Sequence, residues 1–273
     1  MAKAEAPESI EEIFSWKFFI IIVAIHVAAI VGIVFFTSNQ ALIVWVLSHF
    51  FFITIGASIG LHRYFSHQSF EVKTVYMDVF LHLTATLCLQ GGPIYWATAH
   101  RSHHRYSEKQ GDPHSAKRGF LWSHILWLMY ERPNGFSYLK SLKYSPDLRS
   151  NKLTNYFEKN YLRINLSFLF ILLVTCAFYG NLSLFFYLGP IRIVSVWHCT
   201  WLINSYAHGA SFFKKETHIK NSNLLCFLVG GDGEHSFHHN FPNAPKHSAK
   251  NISLDYGYLT LKTFKKLGLI EFK

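Results

Sequence analysis

Residues 18–36 contain no Asp, Glu, Lys or Arg, and after Thr37-Ser38-Asn39-Gln40 a second uncharged run covers 41–61. Each run is close to the roughly 20 helical residues that cross a hydrocarbon core of about 30 Å. A link that short and uncharged predicts an antiparallel hairpin. A further apolar block, 164–206, has Arg192 as its only formal charge. It is too long for one crossing, and Gly180-Asn181 and Gly189-Pro190 punctuate it, so spans over about 164–180 and 189–206 are expected. Residues 75–89 are also apolar, but Asp78 and His82 interrupt them. At about 15 residues they are short for a span and predict a buried or interfacial helix. Glu5, Glu8, Glu11 and Glu12 precede the first run and no small-residue cleavage site follows it, which argues against a signal peptide. The expected class is an all-α membrane protein, with four transmembrane helices in two hairpins and a helical cap formed by 62–163 and 207–273.

Charge sets the expected orientation. The chain has 273 residues, 50% hydrophobic and only 15% charged, which suits one membrane domain better than a soluble enzyme. Lys and Arg crowd 63–163 and the stretch after Tyr206, while the hairpin turns are nearly bare. The positive-inside rule then puts both termini and the cap in the cytoplasm. The net charge of +10 is neither gathered in an arm nor interleaved with exposed aromatics. That disfavours nucleic acid and suits anionic lipid or an acidic protein partner. Cys88, Cys176, Cys199 and Cys226 show no C-x-x-C spacing and read as small hydrophobes. The segment beyond His247 predicts an amphipathic helix that packs on the protein or lies on the membrane.

Of the 17 histidines, eight form three clusters: His62 and His67; His100, His103 and His104; His235, His238 and His239. His208 stands apart. The spacing H-x-x-H-H occurs twice, and positions i, i+3 and i+4 share a helix face, so each triplet can aim at one point. His62 and His67 diverge by about 140° on a regular helix and are expected to converge only near a helix end. By the topology above, all these regions land on the cytoplasmic face. Neutral imidazoles at ligand spacing point to a transition-metal site with more than one ion. His26, His49 and His198, alone on apolar faces, read as core residues with hydrogen-bond partners. His114, His124, His218 and His247 fall outside the clusters and read as structural or surface histidines.

His62-Arg63-Tyr64-Phe65-Ser66-His67, His100-Arg101-Ser102-His103-His104 and His235-Ser236-Phe237-His238-His239 resemble the three histidine boxes of the integral-membrane fatty acyl desaturases, with the spacing of the Δ9 group. Asn204-Ser205-Tyr206-Ala207-His208 resembles that group's N-S-x-x-H element. The stretch Gln90-Gly91-Gly92-Pro93-Ile94-Tyr95-Trp96 and the run Asp112-Pro113-His114 are similar to it too. The resemblance, over about residues 20–245, implies two iron ions that activate O2, with zinc as an ion a recombinant sample can carry. The implied ligands are His62, His67, His100, His103, His104, His208, His235, His238 and His239, with Asn204 acting through water. It further implies that Gln90, Trp96, Thr200 and Trp201 line a kinked acyl tunnel. For Trp201, a membrane-interface anchor is the alternative. Glu108, Asp112, Asp232 and Glu234 are candidates to orient ligating imidazoles.

Two departures matter. Animal acyl-CoA desaturases carry an Arg-Asp pair before the second box where this chain has Thr98 and Ala99, which weakens the case for a CoA site and leaves a CoA thioester, an acyl-carrier-protein thioester or an acyl lipid open. Gly231-Asp232-Gly233-Glu234 stands where the group has Gly-Glu-Gly. The chain lacks a cytochrome b5 haem motif, so an external donor of ferredoxin or cytochrome b5 type is expected. The leading expectation is O2-dependent desaturation of a fatty acyl chain, Δ9-like. The alternatives are an acetylenase or hydroxylase at the same site and, more remotely, a non-redox membrane zinc protein.

Overall fold

The computed structural model describes residues 12–131, 143–212, 217–248 and 252–273. Among these, four helices are long and apolar enough to cross a membrane: Trp16–Phe35, Asn39–Ser66, Lys152–Phe178 and Leu182–Ala207. Val27, Ile30 and Val34 on the first and Phe170 and Ile171 on the third are exposed. Such a surface is compatible with hydrocarbon, and the helices satisfy their own backbone groups, as a spanning segment must.

Three of the spans differ from the sequence expectation in ways that matter for the site. The second is α-helical only over Asn39–Phe51 and continues as a π-helix over Phe52–Ser66. The third begins at Lys152 rather than near residue 164, because Asn151 Oδ1 accepts hydrogen bonds from the amides of Leu153 (2.9 Å) and Thr154 (3.1 Å) and caps it there. The turn into the fourth span is made at Gly180, whose φ is +65°. Gly189-Pro190 does not break that span: both residues lie in a π-helical turn, Tyr187–Ile191. The wider turn accommodates a ring that would clash with a carbonyl in a regular α-turn.

The helix expected over 75–89 forms as Val75–Thr86 and is followed by a second, Pro93–Tyr106. Gly56 and Gly60 of the π-helical stretch let Val75–Thr86 approach closely. A Cβ at Gly56 would lie 2.5 Å from Cys88 Sγ and 2.6 Å from Thr84 O. The non-helical link between the two helices sits against the deep part of the fourth span, where its carbonyls need partners. Arg192 Nη1 donates to Leu87 O (2.6 Å), and Trp197 Nε1 donates to Cys88 O (3.0 Å) and Leu89 O (3.1 Å). Asn165 Nδ2 donates to Thr86 O at 2.8 Å. The only formal charge of the block 164–206 thus stabilises a buried loop.

The polar segments add short elements. Two antiparallel strand pairs, Ile13–Phe14 with Tyr130–Glu131 and Phe70–Val72 with Ile270–Phe272, qualify the all-α expectation. The second pair ties the C-terminal end to the chain just after His67. The expected amphipathic helix forms as Tyr256–Lys266 and buries Gly257 and Leu261. Arg63, fully buried, pairs with Asp255 at 2.8 Å and so joins the second span to that helix.

Candidate metal centre

Each histidine box is delivered by a helix whose register decides where its rings go. His62 lies in the π-helix and His67 directly follows it. The His67 amide donates to His62 O at 3.1 Å, an i→i+5 bond. Residues five apart then stack on one face, with ring centroids 5.0 Å apart. The first box converges at a helix end, as expected, with His67 as the C-cap, and the register that brings the rings together is π-helical. A third π-helical segment, Ile203–Ala207, ends the fourth span immediately before His208.

Boxes two and three lie on the helices Pro93–Tyr106 and His235–Asn240. The expectation that each triplet aims at one point is corrected here. His62, His67, His100, His104 and His238 form one group of converging nitrogens, and His103, His208, His235 and His239 form another. In both boxes the i and i+4 residues stay together and the i+3 residue joins the other group. At 3.6 residues per turn, i+4 lies about 40° to one side of i and i+3 about 60° to the other. Two helices facing each other therefore exchange one imidazole each.

The contacts within each group are through Nε2. In the first, Nε2···Nε2 separations are 3.0 Å for His62–His238, 2.7 Å for His67–His100 and 2.9 Å for His104–His238. In the second they are 3.1 Å for His103–His208, 2.7 Å for His208–His235 and 3.0 Å for His235–His239. The opposite nitrogens of three rings meet carboxylates. His62 Nδ1 donates to Asp232 Oδ2 (3.1 Å) and His103 Nδ1 to Asp112 Oδ2 (2.9 Å). Glu108 Oε1 lies 3.0 Å from His208 Nδ1, at ion-pair distance but without hydrogen-bond alignment. A carboxylate on Nδ1 fixes the tautomer and leaves the Nε2 lone pair directed into the group. Glu234 instead occupies the N-cap position of the third-box helix.

Burial is the main reason seven of these rings are neutral. With neighbouring imidazoles adding to it, burial holds His67, His100, His103, His235 and His238 well below the ordinary histidine range and His239 at about 3. His104 is lowered for the same reasons. Burial alone would raise Asp232, but the Arg63 guanidinium and the imidazoles of His62 and His247 outweigh it and hold its carboxyl well below the usual range. Clustered neutral nitrogen lone pairs with carboxylates behind them are a donor set that could hold a transition-metal cation.

A cavity of about 230 Å³ abuts this centre. His100, His114 and Asn204 line it, as do Gln90, Trp96, Thr200 and Trp201, and the Trp96 ring stacks on that of His100 with centroids 5.0 Å apart. Trp96 Nε1 donates to Gln90 Oε1 (3.2 Å), Gln90 Nε2 donates to Thr200 Oγ1 (3.0 Å), and Thr200 Oγ1 donates to Val196 O (2.9 Å). The indole N–H can only donate, which fixes the amide orientation and the whole series. Trp201 is 4% exposed, which excludes the interface-anchor alternative.

The remaining histidines divide. His26 Nε2 lies 3.0 Å from His198 Nε2, His198 Nδ1 lies 2.9 Å from His124 Nε2, and His49 Nδ1 lies 2.9 Å from Ser195 Oγ. These are the partnered structural roles expected. His218 is exposed. His114 is buried, its ring 4.3 Å from that of His103. His247, which no spacing pattern marks, is fully buried and its ring lies 4.4 Å from His238 and 4.7 Å from His62. Thr98 is buried and donates to Ser145 Oγ (3.1 Å), while Ala99 lines the cavity. Arg118 is engaged by Glu12 and lies over the Trp122 ring.

Comparison with known proteins agrees with this geometry. The fatty acid desaturase family model matches residues 41–253. The chain belongs to the fatty acid desaturase family. It is similar to the sn-2 palmitoyl-lipid 9-desaturase of Nostoc sp. (strain 36), with 34% identity over 90% of this chain and 85% of that protein. It is also similar to the sn-1 stearoyl-lipid 9-desaturase of Anabaena variabilis (33% identity, 79% of this chain, 77% of that protein). The stearoyl-CoA desaturase of Capra hircus is 31% identical over 84% of this chain and 66% of its own length. Membership in this desaturase family makes the chain an oxidoreductase of fatty acyl metabolism.

Proposed function

We propose that this desaturase uses two iron ions and O2 to place a double bond in a fatty acyl chain, at a Δ9-like position. The observation that carries the reading is a largely apolar cavity that the five-imidazole group reaches through His100 and that Asn204 also lines. The nine Nε2 donors divide five and four, with Asn204 available beside the centre to act through water. When bound, the iron pair supplies the O2 activation that no side chain provides.

The chain's own residues do the rest. The reaction balances as R–CH2–CH2–R′ + O2 + 2 e⁻ + 2 H⁺ → R–CH=CH–R′ + 2 H2O, so two electrons come from an external donor of ferredoxin or cytochrome b5 type. Asp232 and Asp112 hold His62 and His103 in one tautomer, and Glu108 faces His208. The hydrogen-bonded series Trp96–Gln90–Thr200 fixes the bend in the wall, so a threaded acyl chain presents one pair of adjacent CH2 groups to the centre. The apolar walls Leu89, Trp197 and Trp201 exclude water and favour an extended hydrocarbon.

We infer that an acyl lipid is the preferred carrier. Two similar proteins act on lipid-linked acyl groups by name, and Thr98 and Ala99 bring no charge to the place of the CoA-contacting pair. We further infer that the termini and the metal centre lie on the cytoplasmic side, where reductants are available. The test is expression in a host that lacks unsaturated fatty acids, with double-bond positions located by mass spectrometry and iron measured in the purified protein. A new monounsaturated acyl chain and two irons per protein are expected. Iron-free protein with full activity, or no oxidised acyl product from iron-loaded protein, would overturn the reading.

A further inference from the structure

The structure assigns His247 as a positioning residue of the five-imidazole group, set between Asp232 and the metal-directed rings of His62 and His238. This inference rests on the reading that the nine imidazoles hold two metal ions.

Asp232 is the hub. Its Oδ1 accepts from His247 Nδ1 at 2.7 Å and from Ser58 Oγ at 3.1 Å, its Oδ2 accepts from His62 Nδ1 at 3.1 Å, and Arg63 Nη1 lies 3.2 Å from Oδ1. An ionised carboxylate only accepts, so both imidazoles must turn an Nδ1–H toward it. Each then carries its lone pair on Nε2. For His62 that lone pair meets His238 Nε2 within the group. For His247 it is buried and has no hydrogen-bond partner among the described residues.

The neighbouring ring has the complementary need. His238 directs Nε2 into the group, so its proton sits on Nδ1, and that atom is also buried without a partner. The two rings are 4.4 Å apart, centroid to centroid, with planes inclined by 46°. No direct hydrogen bond joins the two atoms, and one bridging water would satisfy the lone pair on one and the N–H on the other. The resulting order is carboxylate, imidazole, ligating imidazole, which extends by one ring the way carboxylates orient metal-bound histidines.

His247 is itself held independently of the imidazole group. Its backbone N–H donates to Asp255 Oδ2 at 2.7 Å, and Asp255 pairs with Arg63. Arg63, Asp255, His247 and Asp232 therefore close a buried ring of contacts that fixes where the imidazole stands. A histidine needed only to fill space would not require both nitrogens placed this way.

The test compares His247→Leu and His247→Gln in the full-length protein, reading metal per chain and the iron Mössbauer spectrum. His247→Leu should weaken metal retention at the five-imidazole group by about 10–100-fold, the usual effect of losing such an outer partner. The four-imidazole group, whose rings make no contact with His247 among those described, should keep its ion and its spectral component, which also shows that the protein has folded. His247→Gln retains an N–H donor and a carbonyl acceptor and should restore much of the loss. Wild-type metal content and spectrum in His247→Leu would overturn the assignment, as would equal loss at both groups. A wild-type protein that takes up no metal would instead overturn the two-metal reading itself.

Discussion

The amide of His67 donates to the carbonyl of His62 across a 3.1 Å i→i+5 bond, and in this register the two imidazoles of the first box meet edge to face, ring centroids 5.0 Å apart. In an α-helix they would point apart. The π-helical stretch Phe52–Ser66 is a functional register, as such segments often are at active sites. Removing one residue between His62 and His67 would restore α-helical spacing at i+4, but would also shift everything C-terminal to it.

Single box histidines are expected to be indispensable. His103→Ala and His239→Ala should each abolish desaturation while the protein still inserts into membranes, because insertion depends on the spans. Activity assays on membranes, with protein quantified by immunoblot, check this. His26→Gln and His49→Gln should keep most of their activity, since glutamine can preserve a hydrogen bond to His198 or Ser195.

Gln90→Leu should loosen the bend in the cavity. It leaves the partly buried indole N–H of Trp96 unmet, at a cost of about 1 kcal/mol, and frees Thr200. The expected result is a modest loss of thermal stability with a mixture of double-bond positions in the product, read by mass spectrometry. A single unchanged position would show that the bend is held without Gln90.

Stability of the metal-free protein should fall with pH. His67, His100, His103, His104, His235 and His238 have folded-state pKa values depressed below 6.5, as does His239, to about 3. Above 6.5 neither the folded nor the unfolded state protonates them. Between 6.5 and about 3 the unfolded chain binds protons that the folded chain does not, so stability drops as pH falls, by up to about 1.4 kcal/mol per pH unit for each such group. Thermal melts in detergent from pH 8 to pH 5 should show the loss, and bound metal should oppose it by holding the imidazoles neutral.

Topology is open to direct labelling. Cysteines at Asn39 and Lys109, both exposed, should react with an impermeant reagent from opposite sides of the membrane, Lys109 from the cytoplasm. Background from native thiols should be low, because Cys88, Cys176 and Cys226 are buried. Reaction from the same side would overturn the four-span arrangement.

The basic surface bears on the electron donor. Association with an acidic donor should be electrostatically steered. Donor-dependent turnover should therefore fall between ionic strengths of about 0.01 M and 0.15 M, as the screening length shortens from about 30 Å to 8 Å. Lys220, which lies over the Tyr206 ring, is within reach of charge-reversal tests. Lys214 and Lys215, also of interest for this surface, lie outside the described residues.

The sequence by itself determined that there are four apolar spans and marked eight of the nine imidazoles, because hydrophobic length and spacing are local properties, while resemblance added His208. The Gln90, Trp96, Thr200 and Trp201 wall was likewise legible, through resemblance. Only the tertiary structure decided which imidazole serves which group. His103 and His238 cross over because two helices face each other with i+3 and i+4 on opposite sides of a shared axis, and no one-dimensional pattern encodes that facing. The same holds for the π-register of His62 and His67, in a stretch, Phe52–Ser66, that packs closely against Val75–Thr86. Helix propensity does not set it. His247 carried no spacing signal at all. Its place beside His238 exists because Arg63, Asp232 and Asp255, far apart in the chain, neutralise one another only when the fold buries them together.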